Sequence, residues 1–324
     1  MADSAREREL KRIDQRLGEI AAERRALESA RASLGASLDI QNPRRPALTQ
    51  EATPRDKIAL FRSLFRGRMD VYPARWENKT SGKSGYAPAC SNEWVRGVCE
   101  KPRIKCGDCP NQAFNGVSDG VIERHLRGDI VAGVYPLLLG NKCYLVAVDF
   151  DGDGWVEDSR AFVHACSAHQ VPVARERSRS GVGAHAWIFF ADATLASHAR
   201  QLATALMSAA MERRPEIRFT SYDRLFPSQD LMPQGGFGNL IALPLQREPR
   251  ERGHSVFIDD ALNPYPDQWS YLASIEKIEP AALESRLSVL VSRPHGATRA
   301  LWSTNIRSPG SVCEGVFVMQ AAQD

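Results

Sequence analysis

Asp149 and Asp151 close an apolar run as Val148-Asp149-Phe150-Asp151. Strand side chains alternate, so both carboxylates face one side with their backbones about 7 Å apart. Carboxylates that close repel one another, and burying them unpaired is costly. A pair of divalent cations resolves the conflict, which is the arrangement of two-metal phosphoryl transfer. An EF-hand loop is the rival, because Asp149, Asp151, Asp153 and Gly154 match its positions one, three, five and six. Its twelfth position should be glutamate and is Arg160, and the motif follows a strand rather than a helix, so the EF-hand fails. A solvated acidic turn is the remaining alternative.

About thirty residues on comes Ser180-Gly181-Val182-Gly183-Ala184-His185, leading into an apolar strand. Glycines let backbone N–H groups approach an anion, and Ser180 and His185 can donate to phosphate oxygens. Arg175, Arg177 and Arg179 alternate just upstream, so on an extended chain they share one face and form a cationic stripe. Ser180, Gly181, Gly183 and His185 with Arg177 and Arg179 make a candidate triphosphate cradle. Without the preceding carboxylate pair, the same residues would read as a hairpin turn with a structural histidine.

Two more acids, Asp223 and Asp230, precede the glycine-rich turn 235–238 and a run ending at Pro244. Either could complete a metal site, and either could serve ordinary turn chemistry. Four of the seven cysteines, Cys90, Cys99, Cys106 and Cys109, fall within twenty residues. In a cytosolic chain that clustering favours structural zinc over disulfides, and the Cys106-Gly-Asp-Cys109 knuckle is its most specific half. Cys143 and Cys166 read as core, and the histidines outside the motif, His125 among them, as structural.

These residues need elements to hold them. The hydrophobic pattern predicts helices over 56–66, 121–126, 158–169, 196–213 and 281–291, and strands over 143–150, 186–190 and 239–245. Few runs within 67–111 are long enough for regular structure. Alternating strands and helices imply an α/β or α+β body. Leu10, Ile13, Leu17 and Ile20 follow 3-4-3 spacing in a helix expected within 1–35. It suits either a short coiled coil joining two chains as a homodimer or a helix packed on its own domain. A proline-containing linker is expected over 36–54, a catalytic domain over 55–275, and a helix with an unassigned tail over 276–324.

The 324 residues are 43% hydrophobic and 25% charged, which excludes a mostly disordered chain. The longest apolar stretch, 130–139, is too short to cross a membrane, and a cytoplasmic protein is expected. Net charge is +3, but residues 41–105 hold 14 basic against 6 acidic side chains. A basic segment on an acidic body fits a polyanion-binding surface.

The motifs in this order, with FRGRMDVYPARW, the four cysteines, HLRGDIVAGVYPLL and YDRLFPSQDLMPQGGFGNLIALPLQ, resemble the archaeo-eukaryotic primase superfamily. The similarity is greatest to the primase-polymerase domain of TOTE conflict systems, which is itself similar to CRISPR-associated primase-polymerases. The resemblance implies an α/β unit beside an RRM-like unit with the active site between them. It also implies template-directed nucleotidyl transfer from nucleoside triphosphates on single-stranded DNA with Mg2+ or Mn2+. By its pattern Asp149 and Asp151 hold metal, Ser180, Gly181 and His185 contact the nucleotide, and the third acid precedes a turn and a strand ending in proline, which favours Asp230. Helicase and nuclease partners are implied as well. The rival function is a non-catalytic module binding single strands, although its exposed strand aromatics are missing where the carboxylates stand. A metal-dependent nuclease, a third option, would not need a triphosphate cradle.

Overall fold

The computed structural model describes residues 49–217 and 225–291, with scattered positions between 9 and 23. Asp223, Cys313, His295, Leu10, Ile20, most of the linker and the tail lie outside the described residues. The chain divides into two units, 1–47 and 48–324. In the first, the described positions are helical, and Ile13 and Leu17 are exposed.

In the second unit the apolar run around Val146 becomes the central strand β4 (Lys142–Asp151). It pairs with β6 (Gly183–Leu195), which pairs with β5 (Ala174–Arg177). Two short strands, β7 (Leu225–Phe226) and β9 (Val256–Phe257), complete the order β7-β4-β6-β5-β9. Every pairing in this sheet is antiparallel, so of the two expected classes the fold is the α+β kind of mixed α/β.

The strand alternation sends β4 into two cores. Val146, Val148 and Phe150 meet α3 (Trp155–Ala168), α4 (Ala196–Arg213) and α7 (Pro280–Val291) through Phe162, Cys166, Leu202, Leu206 and Leu287. Leu145 and Ala147 face the other way, toward Phe61 and Phe65 at α1 (Pro54–Leu64) and Leu272 of α6 (Gln268–Ser274). Thr53 caps α1 by accepting from the Asp56 N–H, and Pro54 occupies the first turn, where a missing N–H costs nothing. Phe65 meets the rings of Trp187 and Phe189 edge-on at 5.1 and 5.5 Å. Cys143 and Cys166 are fully buried, as expected of core cysteines.

Two expectations are corrected. The segment 67–111 carries a hairpin of β1 (Pro73–Glu77) and β2 (Ser84–Pro88). Its signal lay in the turn rather than in apolar alternation, because Asn78 Oδ1 accepts from the N–H groups of Thr80 and Ser81. The strand expected over 239–245 shrinks to β8 (Ile241–Ala242), paired with β3 (Gly133–Val134). Asn239 instead uses its side chain as a bracket, donating to Leu225 O at 2.7 Å and accepting from Ser228 N–H at 3.0 Å. Among the described residues, no helix is long and apolar enough to cross a membrane.

His125 is wholly buried on α2 (Asp119–Arg127) and ties that helix to two strand ends. Its Nε2–H donates to Pro244 O at 3.0 Å, and its Nδ1 accepts from Ala132 N–H at 3.1 Å. Burial pushes its pKa down to about 4. The neutral ring is native and the unfolded chain takes up the proton first, so stability present above pH 6.5 is lost as the pH falls toward 4. Between pH 7 and 5 the wild type should lose about 2 kcal/mol more in urea unfolding than His125→Gln, which carries no ionisable group there.

Candidate functional site

The register of β4 on β6 sets Asp149 opposite His185 and Asp151 opposite Gly183, and β5 sets Glu176 opposite His185 on its other side. Asp149, His185 and Glu176 therefore form one row across three strands, on the face that carries Ala147 and Trp187 one row further in. His185 Nε2 lies 3.6 Å from Asp149 Oδ1, and its Nδ1 donates to Glu176 Oε2 at 3.0 Å. Glu176 is only 2% exposed at its side chain and also accepts from Trp187 Nε1 at 2.8 Å and Ser255 Oγ at 3.3 Å. Burial alone would lower the His185 pKa, but Glu176, then Asp149 and Asp151, outweigh it and push the ring up to about 9. At neutral pH the row holds an imidazolium among carboxylates.

Asp149 is mostly covered and Asp151 is exposed at the strand end. The absence of a side chain on Gly183 is what lets the Asp151 carboxylate lie over β6. A Cβ there would overlap Asp151 Oδ1 and come within 2.8 Å of Phe150 O. Gly181, at φ +87°, turns the loop, and a Cβ on it would collide with the His254 ring. Ser180 Oγ is tied within the same turn, 3.0 Å from Ser178 Oγ and 3.3 Å from Val182 N–H. Gly183 and His185 thus meet the acids at one end of β4, with Ser180 and Gly181 in the turn that leads into β6.

The arginines do not. Strand alternation puts Arg175 and Arg177 on the face opposite Glu176. Arg175 pairs with Asp259 O and Asp260, and Arg177 donates to Gly253 O at 3.2 Å and Leu262 O at 2.7 Å. Arg175 staples the segment after β9 to the sheet, and Arg177 ties down the chain on both sides of β9. Arg179 lies beyond the strand, 3.1 Å from Gln246 Oε1 and 3.9 Å from Glu248, so the expected single stripe is split.

Asp230 is not at this end either. It pairs with Arg200, the fifth residue of α4, at 2.5 Å, and Met232 N–H donates to Asn141 Oδ1 at 2.8 Å. Asn141 precedes β4, about 25 Å along the strand from Asp149. The reason is strand direction: Phe226 pairs with Ala147 and Leu225 with Val148, so the chain running on from β7 toward Asp230 moves away from the acids. Among the described residues, no three His, Cys, Asp or Glu side chains are arranged to hold one ion.

Cys90, Cys99, Cys106 and Cys109 line one cavity of about 20 Å3, room for a single atom-sized occupant. Burial raises the Cys106 thiol against the opposing pull of Lys101, while backbone N–H groups lower Cys99. The knuckle is clamped to the glycine turn, since a Cβ on Gly107 would overlap Gly235 O. Behind it Phe114, Phe237 and Tyr135 pack in sequence at 5.2 and 5.3 Å.

Sequence reasoning missed Glu176. It stands between two arginines in a short strand, and strand alternation alone separates it from them, yet only the pairing of β5 with β6 shows that it meets His185.

Fold and site together define a mixed α/β domain whose central antiparallel sheet ends in a polar row of aspartate, histidine and glutamate. The family described as TOTE conflict system, Archaeo-Eukaryotic Primase domain matches residues 56–286, and the chain belongs to it. Among solved structures, the polymerase domain of Mycobacterium tuberculosis Ligase D in complex with DNA is similar over 74% of this chain and 88% of its own, with 12% identity and a TM-score of 0.36. The AEP domain of the cyanophage S-2L primase-polymerase is similar over 64% and 97%, with 18% identity and a TM-score of 0.25. No curated protein matches the chain.

Gly183→Ala should cost about 1–3 kcal/mol in urea unfolding, because the added methyl must displace the Asp151 carboxylate or the strand. An unchanged midpoint would mean that Asp151 moves aside freely.

Proposed function

We propose that this chain is a DNA primase-polymerase that adds nucleotides from nucleoside triphosphates along a single-stranded DNA template. The reading rests on one observation: Asp149 and Asp151 share a face at the end of β4, directly opposite His185 and Gly183. The 3′-OH of a primer or initiating nucleotide attacks the α-phosphate, forming the new P–O bond as the α–β bond breaks and pyrophosphate leaves. Asp149 and Asp151 are the residues that would hold Mg2+ or Mn2+, and such ions would activate the attacking hydroxyl and neutralise the leaving pyrophosphate. His185 Nε2–H donates to a phosphate oxygen, and the turn of Ser180, Gly181 and Gly183 brings backbone N–H groups close to the triphosphate.

The third carboxylate is reassigned to Asp223. Asp230 is engaged with Arg200 away from the acids, which leaves the alternative acid, Asp223, for that role. The basic surplus of 41–105 supplies phosphate contacts to template, and the family's conflict-system setting supports helicase and nuclease partners.

The test is incubation with single-stranded template, labelled triphosphates and Mn2+, read on a sizing gel. Asp149→Ala with Asp151→Ala should abolish incorporation while the protein stays folded, and a fully active double variant would end the polymerase reading. Asp223→Ala should lose incorporation too. Asp230→Ala should keep it, at a stability change of about 1 kcal/mol or less from one exposed ion pair.

We propose that the four cysteines, which line one cavity, close around one structural zinc when it binds. Elemental analysis should find close to one equivalent per chain, released by chelator at low pH as the thiolates protonate. A folded chain without zinc refutes the assignment.

A further inference from the structure

Glu176 is a buried acid to which, among the described residues, no arginine or lysine is hydrogen-bonded, in a strand where an alanine or valine would fold at less cost. Its three partners, His185 Nδ1, Trp187 Nε1 and Ser255 Oγ, come from β6 and from the residue before β9. Two of them pin the carboxylate itself, so its contact with His185 is made by an oxygen already held by Trp187. The His185 ring also packs edge-on against Trp187, with centroids 5.9 Å apart at 83°. With Nδ1 committed to Glu176, only Nε2 is left to address the side where Asp149 stands.

We infer that Glu176 is a positioning residue: through Trp187 and Ser255 it fixes the ring of His185 so that Nε2 meets the phosphates of the incoming nucleotide. The inference rests on the nucleotidyl-transfer reading above. It assigns the task to geometry, and a glutamine has the same shape. Its carbonyl oxygen can accept from both His185 and Trp187 while its amide donates to Ser255 Oγ. An aspartate keeps the charge but is shorter by one methylene and falls away from His185.

The experiment is steady-state incorporation by the full chain on single-stranded template with Mn2+, with KM for the nucleotide and kcat determined separately and the fold checked by thermal melting. Glu176→Ala should raise KM about tenfold, the scale of one lost hydrogen bond. Glu176→Gln, which keeps the acceptor for Nδ1 but not the charge, should be impaired less than Glu176→Ala, and Glu176→Asp should resemble the alanine variant. In a His185→Ala background, all three substitutions should change KM by less than about twofold, because the residue acts through the ring. If the alanine variant does not fold, the glutamine and aspartate variants carry the comparison. A glutamine variant as impaired as aspartate, or effects of full size without His185, overturns the inference while leaving the polymerase reading intact. A wild-type chain that neither binds nor incorporates nucleotide overturns that reading, and the inference with it.

Discussion

The antiparallel pairing of β4 with β6 is the constraint on which the site depends. Its register puts Asp149 across from His185 and Asp151 across from Gly183. Strand side chains alternate, so a slip of one residue would send the acids into the core of Phe162 and Leu206 and bring Phe150 to the polar row. Two unlike cores prevent that slip. Val146, Val148 and Phe150 are held by helices on one face, and Leu145 and Ala147 by the Phe61, Phe65 and Trp187 cluster on the other.

The same pairing makes a polar cluster tolerable at the margin of an apolar sheet. Asp149 and Asp151 repel one another, and Glu176 adds a third acid nearby. His185 sits between them and is held as a cation, while Trp187 and Ser255 donate to the lone pairs of Glu176 that His185 leaves open. The glycine at 183 is equally necessary, because the strand opposite Asp151 has no room for a side chain. Charge, shape and register are satisfied together or not at all.

Around this centre the basic residues divide by function of place rather than by type. Arg175 and Arg177 are spent on carbonyl groups of the segments flanking β9, and Arg200 on Asp230. Guanidiniums suit such work, since each offers several donors in a fixed plane to carbonyl oxygens that would otherwise be poorly satisfied. The cysteine knuckle is docked by backbone contact at Gly107 and Gly235 with an aromatic stack behind it, so its place on the body is set without relying on charge.

Much of this was legible in the residues themselves. Apolar runs marked β4 and β6, the 3.6-residue period marked α1, α3, α4 and α7, and the alternation at 149 and 151 put both acids on one face, because these are local properties of a chain. The glycine motif beside His185 and the clustering of four cysteines were equally readable. What the letters could not carry was pairing. Arg177 and Glu176 are neighbours in sequence but face opposite sides of the sheet, and only β6 and the segment after β9 determine which of them meets His185. Asp230 matched an expected order of motifs, yet the direction of β7 against β4 carries it to the far end of the strand. Local propensity is written residue by residue; the register and direction of strands distant in sequence are decided by how two whole cores close around them.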